Sequence, residues 1–327
     1  MSNRRKMKKG VFVFLAVCFF SLVCGFSAAA GENYPEGPIT FLLAYSPGGG
    51  TDASNKALIA ELEKELKVPI IPKYVVGAAA SLCAYELSKA KPDGYTIGNT
   101  TCVAMALVPH TVGVKYDPLK DFDFLGTFIQ FTVGYMVKAD SPFQNLKDLI
   151  EAARKNPETI RYGNQTPGGF LGLAAAYLEK AENVRFKNVP YPGGSSKALS
   201  ALLGGHVDFM ANNPAGIKPY VKSEHVRMLF SASSMRHSDM SVPTLRELGY
   251  DFDQVSWNAV GAPQGLRPEV RTKLENAIAK AVKAPKFVQT MKNLDTPVDY
   301  HDGQDYTNLI KKYYKLWGDL LAGGYRF

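Results

Sequence analysis

Two periodicities alternate along this chain. Short apolar runs of strand length occur at ITFLLAY (39–45), GYTIGN (94–99), FDFLGTF (122–128), VGYMVKA (133–139), VDFMAN (207–212), RMLFSAS (227–233) and WNAVGAP (257–263). Between them stand stretches whose apolar positions recur three and four residues apart, the spacing of a helix that buries one face. These are TDASNKALIAELEKEL (51–66), NLKDLIEAARKN (145–156), GFLGLAAAYLEKAE (169–182), SKALSALLGG (196–205) and RPEVRTKLENAIAKAVKAP (267–285). Strands alternating with helices predict an α/β architecture with helices packed on the sheet faces. A last segment, DGQDYTNLIKKYYKLWGDLLAGG (302–324), sets Leu309, Ile310, Tyr313, Leu316, Trp317 and Leu320 in one stripe. It predicts a helix docked on the body of the protein. The chain has no repeat and no low-complexity linker.

At two places a strand pattern passes through a glycine-rich turn straight into a helix pattern. The first is AYSPGGGTDASNKALIAELEKEL (44–66), where Gly48, Gly49 and Gly50 precede Thr51 and Asp52. The first N–H groups of a helix lack intrahelical acceptors and sit at the positive end of its dipole, so such a turn suits an anion. The second is ETIRYGNQTPGGFLGLAAAYLEKAE (158–182), with Asn164, Gln165, Thr166, Gly168 and Gly169 at the corresponding point. A third polar turn lies in VPYPGGSSKALSALLGGHVDFMANNP (189–214). Singly, such turns are ordinary connections. Two in separate halves of the chain predict a cleft with an amide-lined socket on each wall, at the carboxyl ends of the strands.

Each candidate ligand contact has a structural alternative. Asp52 caps the helix or orders its loop, because a carboxylate there would repel a bound anion. Ser46 and Thr51 are the better direct donors. Tyr45 and Tyr191 either meet the ligand or pack. Asn212 and Asn213 either reach the cleft or belong to the turn before Pro214. Trp257 reads as a core residue of the hinge strand.

Charge and processing signals narrow the class. The opening MSNRRKMKKG is basic, VFVFLAVCFFSLVCGF is apolar, and SAAAG offers small residues, with Ala28 and Ala30 at the cleavage positions. Residues 1–30 are therefore expected to be a cleavable secretory signal peptide. A lipoprotein reading would use Cys18 or Cys24, but Val17 and Val23 stand where a small residue is wanted. The net charge of +8 includes five basic residues before Gly31, so the mature chain carries +3 with both signs interspersed. That excludes a nucleic-acid binder by charge. The remaining cysteines, Cys83 and Cys102, either pair or are two buried thiols.

Enzyme signatures are missing. There is no G-x-x-x-x-G-K-[ST], no G-x-S-x-G, no H-E-x-x-H and no C-x-x-C, and the five histidines share no ligand spacing. Ser88 to Lys91 matches S-x-x-K by letters alone. No base–nucleophile pair can be nominated, no cofactor or metal is expected, and binding is the better reading.

Many ordered segments closely resemble the substrate-binding proteins of tripartite tricarboxylate transporters, the periplasmic Bug-type solute receptors. The carriers are YSPGGGTD, KPDGYTIGNT, PLKDFDFLG, NLKDLIEAARKNPETIRYGN, NVPYPGGSSKALSALLGGHVDFM and SVPTLRELGYDFDQVSWNAVGAPQGLRPEVRTKLENAIAKAV. The resemblance covers essentially the whole mature chain. It implies an α/β, two-lobed periplasmic-binding-protein fold (a venus flytrap, type II-like) with the ligand cleft between the lobes. It also implies a monomer that takes up a small organic anion, usually a carboxylate, and passes it to membrane permease subunits. Signalling to a two-component sensor is the alternative role, and an enzyme on the same fold a more distant one. One lobe is expected from 31–132 plus 257–327 and the other from 133–256. Ala78, Ala79 and Thr100 join the candidate ligand contacts.

The chain departs from the family pattern at three points. Where members carry a glycine-rich PGAGG turn, this chain reads Val76, Gly77, Ala78, Ala79, Ala80. Asn164 to Gly169 replaces a serine- and glycine-rich turn, and Gly172 stands where a histidine is common. Alanines at 79 and 80 remove positive-φ freedom. The turn is therefore expected to meet the ligand through apolar surface, favouring a hydrophobic or aromatic body.

Overall fold

The computed structural model describes residues 33–48, 50–164, 169–191, 195–233 and 242–322. Among the described residues there are two five-stranded sheets. The first contains β1 (Ile39–Leu43), β2 (Ile70–Tyr74), β3 (Thr96–Asn99), β4 (Phe122–Phe131) and β10 (Ser256–Pro263), in the order β2-β1-β3-β10-β4. The second contains β5 (Gly134–Lys138), β6 (Arg161–Asn164), β7 (Lys187–Pro190), β8 (Phe209–Asn212) and β9 (Val226–Ser231), in the order β7-β6-β8-β5-β9.

Both sheets follow one plan. Three parallel strands are followed by a fourth that runs antiparallel to both its neighbours, β10 in the first sheet and β5 in the second. Each antiparallel strand is the first one after the chain passes from one sheet to the other. The first sheet thus draws on both ends of the chain and the second on its middle, which makes a two-lobed α/β molecule.

Burial explains which strands show in the sequence. β10 is buried along its whole length and β4 along nearly all of it, which is why FDFLGTF and WNAVGAP read as apolar runs. β2 and β7 are edge strands, mostly exposed, and β2 carries Pro72, a residue confined to sheet edges. Neither shows as a strand in the pattern.

On one face of the first sheet, α1 (Gly50–Leu66), α8 (Pro268–Ala281) and α9 (Pro285–Asn293) pack Leu58, Leu62, Leu274, Ile278 and Phe287 against Phe41 and Phe128. The last helix, α10 (Gly303–Ala322), buries Tyr306, Ile310, Tyr313, Trp317 and Leu320. The predicted stripe is therefore rotated: Tyr306 belongs to it, Leu309 lies at its margin and Leu316 is 37% exposed. The Tyr306 hydroxyl donates to the Thr100 carbonyl oxygen at 2.6 Å, tying this helix to the end of β3.

The two chain crossings lie side by side. The Val133 N–H donates to Ser233 Oγ at 3.0 Å, the Ala232 N–H to the Val133 carbonyl at 2.8 Å, and the Gln254 N–H to the Ala232 carbonyl at 2.7 Å. Gln254 is fully buried there. Its side chain accepts from the Ala174 N–H and donates to the Phe170 carbonyl oxygen, fixing the crossing to the second lobe. Two further contacts join the lobes. Phe170 meets Trp317 edge to face at 5.8 Å between ring centroids. Lys218, on α7 (Pro214–Lys222), pairs with Asp295 in the segment before α10.

Candidate functional site

A cleft of about 620 Å3 opens between the lobes, a size that suits a small organic molecule. Its polar groups come from the crossings and the end of β8 (Thr132, Ser256, Asn258, Asn212 and Asn213) and, on the other wall, from Tyr45, Thr51, Ser81 and Thr111. Its apolar wall comes from the turn at Ala78 and Ala79 and from Val103, Leu107, Val108 and Val112, with Phe170 and Leu171 opposite. The residues that line it in the described part of the chain are all uncharged.

The structure brings seven of the sequence candidates together here: Tyr45, Thr51, Ala78, Ala79, Gly169, Asn212 and Asn213 line the cleft. Burial raises the Tyr45 hydroxyl's pKa against an opposing hydrogen bond with Thr101, so this group is a neutral donor at physiological pH. Thr51 sits in the first turn of α1, whose opening N–H groups favour an anion. Gly49, Gln165, Thr166 and Gly168 lie outside the described residues.

The other candidates lie off the cleft. Asp52 is only 3% exposed, and its carboxylate accepts from the Gly48 N–H and Lys56 Nζ at 2.8 Å and the Tyr74 hydroxyl at 2.7 Å. It orders the turn before α1, where Gly48 has φ +89°, and is not among the residues that line the cleft. Burial pushes the Asp52 carboxyl up, but those three donors outweigh it and leave it below the usual carboxylate range. Ser46 is exposed and is not among the lining residues, and Gly50 begins α1. Thr100 is fully buried beneath β10, with its N–H on the Ala259 carbonyl. Asn164 is buried at the end of β6, and its carbonyl accepts from the Tyr191 N–H. Tyr191 packs against the core of the second lobe.

The alanine turn follows a path that the sequence did not suggest. Ala78, Ala79 and Ala80 have φ of 45°, 52° and 73°, three consecutive alanines in the left-handed region that favours glycine. The expected loss of positive φ does not occur, so the turn keeps its course and carries strain. Ser81 Oγ braces it by donating to the Ala78 carbonyl at 2.8 Å. Behind the cleft the chain winds as a π-turn over Val103–Leu107, then α3 (Val108–Thr111). Wide turns of this kind gather at functional sites. Here Val103, Leu107, Val108 and Val112 all face the cleft.

Sequence reasoning missed Asn258. It stands on β10 at a register irregularity, is 1% exposed, lines the cleft, and its Nδ2 has no hydrogen-bond partner among the described residues. A buried amide without an acceptor costs free energy, and a ligand oxygen would relieve it. The only signal in the sequence is a polar residue inside an otherwise apolar strand, WNAVGAP. Its neighbour Trp257 turns the other way, is 4% exposed, and donates to Asp299 Oδ2 at 2.7 Å, a core residue as expected. Cys83 and Cys102 are both buried free thiols.

Comparison with known proteins agrees with this arrangement. A protein of Cupriavidus necator, described as "UPF0065 protein in gbd 5'region", is 33% identical over 279 residues, covering 85% of this chain and 84% of its own length. A TctC solute binding protein from Polaromonas superposes with a TM-score of 0.77 at 25% identity, covering 89% of this chain and 99% of that one. Two proteins from Rhodopseudomonas palustris share the fold at 23% and 24% identity, with TM-scores of 0.74 and 0.75. Each covers 88% of this chain, and 100% and 97% of its own. One was solved with bound malate and the other with adipate. These neighbours make the molecule a two-lobed periplasmic-binding-protein fold. Residues 55–323 match the tripartite tricarboxylate transporter family receptor, and the chain belongs to that family.

Proposed function

We propose that this protein is an exported receptor that captures a small organic carboxylate between its lobes and delivers it to the permease subunits of a tripartite tricarboxylate-type transporter. The observation that carries the reading is the unpartnered Asn258 amide at the cleft, in a setting of neutral donors such as Tyr45 and Thr51. Neutral, pre-placed donors hold an anion without the desolvation cost of a buried counter-charge. The solved relatives bound to malate and adipate support the same ligand class.

Residues 1–30 act as the cleavable leader to the periplasm. Residues 31–132 with 257–327 form one lobe and 133–256 the other, hinged at the paired crossings. A ligand that touches both walls only when they meet shifts the population toward the closed form, which the permease then recognises. The receptor acts as a monomer and releases its ligand chemically unchanged.

A thermal-shift panel of mono-, di- and tricarboxylates, amino acids and amines tests this reading. At one hundred times Kd, a ligand stabilises the fold by about 2.7 kcal/mol. At least one carboxylate is expected to raise the melting temperature and to be recovered intact. A shift with amines alone would overturn the reading.

A further inference from the structure

Asn258 lines the cleft from a point where the sheet slips out of register. It pairs with Ile129, but Ala259 pairs with Thr127, so Phe128 on β4 stands opposite neither. An extra residue in one strand bends it and re-aims the side chains beside it. The Asn258 amide keeps one direction only if that bend is held. The segment leading into α10 runs along β4 across the irregularity. The Gln130 N–H donates to the Pro297 carbonyl at 3.0 Å, Ile129 bridges to Val298, and the Thr127 N–H donates to the His301 carbonyl at 2.9 Å. The Thr127 hydroxyl donates to the Asp299 carbonyl and accepts from the His301 N–H, both at 2.7 Å.

Asp299 reaches across to the other strand as well. Its Oδ2 accepts from the Trp257 indole N–H at 2.7 Å. Asp299 thus holds both flanks of the irregularity, Thr127 on β4 through its backbone and Trp257 on β10 through its side chain. His301 Nε2 lies 3.3 Å from the same oxygen, and the His301 and Tyr313 rings pack on the indole at 5.9 and 5.4 Å between centroids. Successive side chains of a strand point to opposite faces, so a fixed Trp257 fixes its neighbour Asn258 on the cleft side. Asp299 is not among the residues that line the cleft.

We propose that Asp299 is a positioning residue for binding: it holds the Trp257 indole so that Asn258 presents its amide to the cleft. The proposal rests on the receptor reading above and deepens it. Trp257 is 4% exposed, so losing the Asp299 acceptor would leave a buried donor that the strand can relieve only by turning. Any such turn carries the Asn258 amide with it.

Selective nitrogen labelling of asparagine makes the Asn258 side-chain amide visible by NMR in the mature, ligand-free protein, assigned by its loss in Asn258→Leu. Asp299→Leu and Trp257→Phe break the bond from either side, and both should displace or broaden that signal. Asp299→Asn keeps an oxygen that can accept from the indole and should leave it in place. A signal unmoved in both bond-breaking variants, or displaced as far in Asp299→Asn, would overturn the positioning role. Calorimetric titration with adipate adds a readout that stability alone does not move. Asp299→Leu should weaken binding about three- to tenfold in the parent and not at all in the Asn258→Leu background. An equal loss in both backgrounds would show that Asp299 does not act through Asn258. The NMR measurement uses no ligand, so a thermal-shift panel in which no carboxylate stabilises the protein would sink the receptor reading separately.

Discussion

Replacing Ala78 and Ala79 together by glycine should stabilise the empty protein, although glycine normally weakens a fold. Both alanines are exposed and left-handed, with φ of 45° and 52°. An L-residue in that region costs about 1–2 kcal/mol. Glycine removes this cost but returns about 0.5–1 kcal/mol through its freer unfolded chain. Over two sites the net gain is about 1–2 kcal/mol. A mature chain of roughly 300 residues unfolds with about 0.6 kcal/mol per kelvin of entropy, so the gain corresponds to a rise of about 2–3 °C. Ala57→Gly is the control, since Ala57 lies inside α1 in ordinary helical conformation. There the same change should cost about 1 kcal/mol and lower the transition by about 1.5 °C. Differential scanning calorimetry of ligand-free protein reads both signs. If the double variant melts below the parent, as Ala57→Gly should, the turn is not strained.

Three further outcomes follow from the geometry. The Asp52 carboxyl sits below its ordinary value in the folded protein. The stability it contributes is therefore present above the unfolded-chain carboxylate value and is lost as pH falls through the folded one, so Asp52→Asn should flatten the acid limb of a melting-temperature profile. Asp295→Ala removes the ion pair with Lys218 that joins the lobes. Both partners are partly solvated, so ligand affinity should fall by no more than about fivefold while the fold persists, measured by titration and circular dichroism. A Cβ at Gly303 would lie 2.1 Å from the Phe124 carbonyl oxygen. Gly303→Ala should consequently displace α10 and cost about 1–3 kcal/mol in denaturant unfolding, and an unchanged midpoint would contradict that placement.

The architecture was legible wherever burial writes itself into the sequence. β4 and β10, buried almost throughout, read as apolar runs, and the amphipathic helices read by their spacing. The edge strands β2 and β7 did not, because exposed residues carry no periodicity. The docking stripe of α10 is displaced from the one the spacing predicts: Leu316 is 37% exposed, whereas Tyr306 does the packing. Of the residues that line the cleft, some stand beside motifs visible in the sequence and others do not. Thr51 and Tyr45 stand beside a recognisable turn, whereas Asn258 is one polar letter in a buried strand, and only the sheet shows it at the cleft with a donor that meets no acceptor among the described residues. Asp52 lies in the same signature, but three donors converge on it, a tertiary fact that helix-cap chemistry only partly anticipates. The alanine turn shows the opposite limit. Residue preference opposes the left-handed path at Ala79 and Ala80, and the turn takes it nonetheless.

The central claim is that a small carboxylate binds one-to-one in the interlobe cleft on the Asn258 amide. Native mass spectrometry of the freshly purified mature protein, with and without added organic acids, tests it most directly against Asn258→Leu, a variant of similar size without the donor. The account predicts a single adduct, released on denaturation and detected as a carboxylic acid, that disappears or weakens about ten- to hundredfold in the variant, the worth of a hydrogen bond to a charged group. An adduct that the folded variant retains at full affinity, or a bound species with no acidic group, would contradict it.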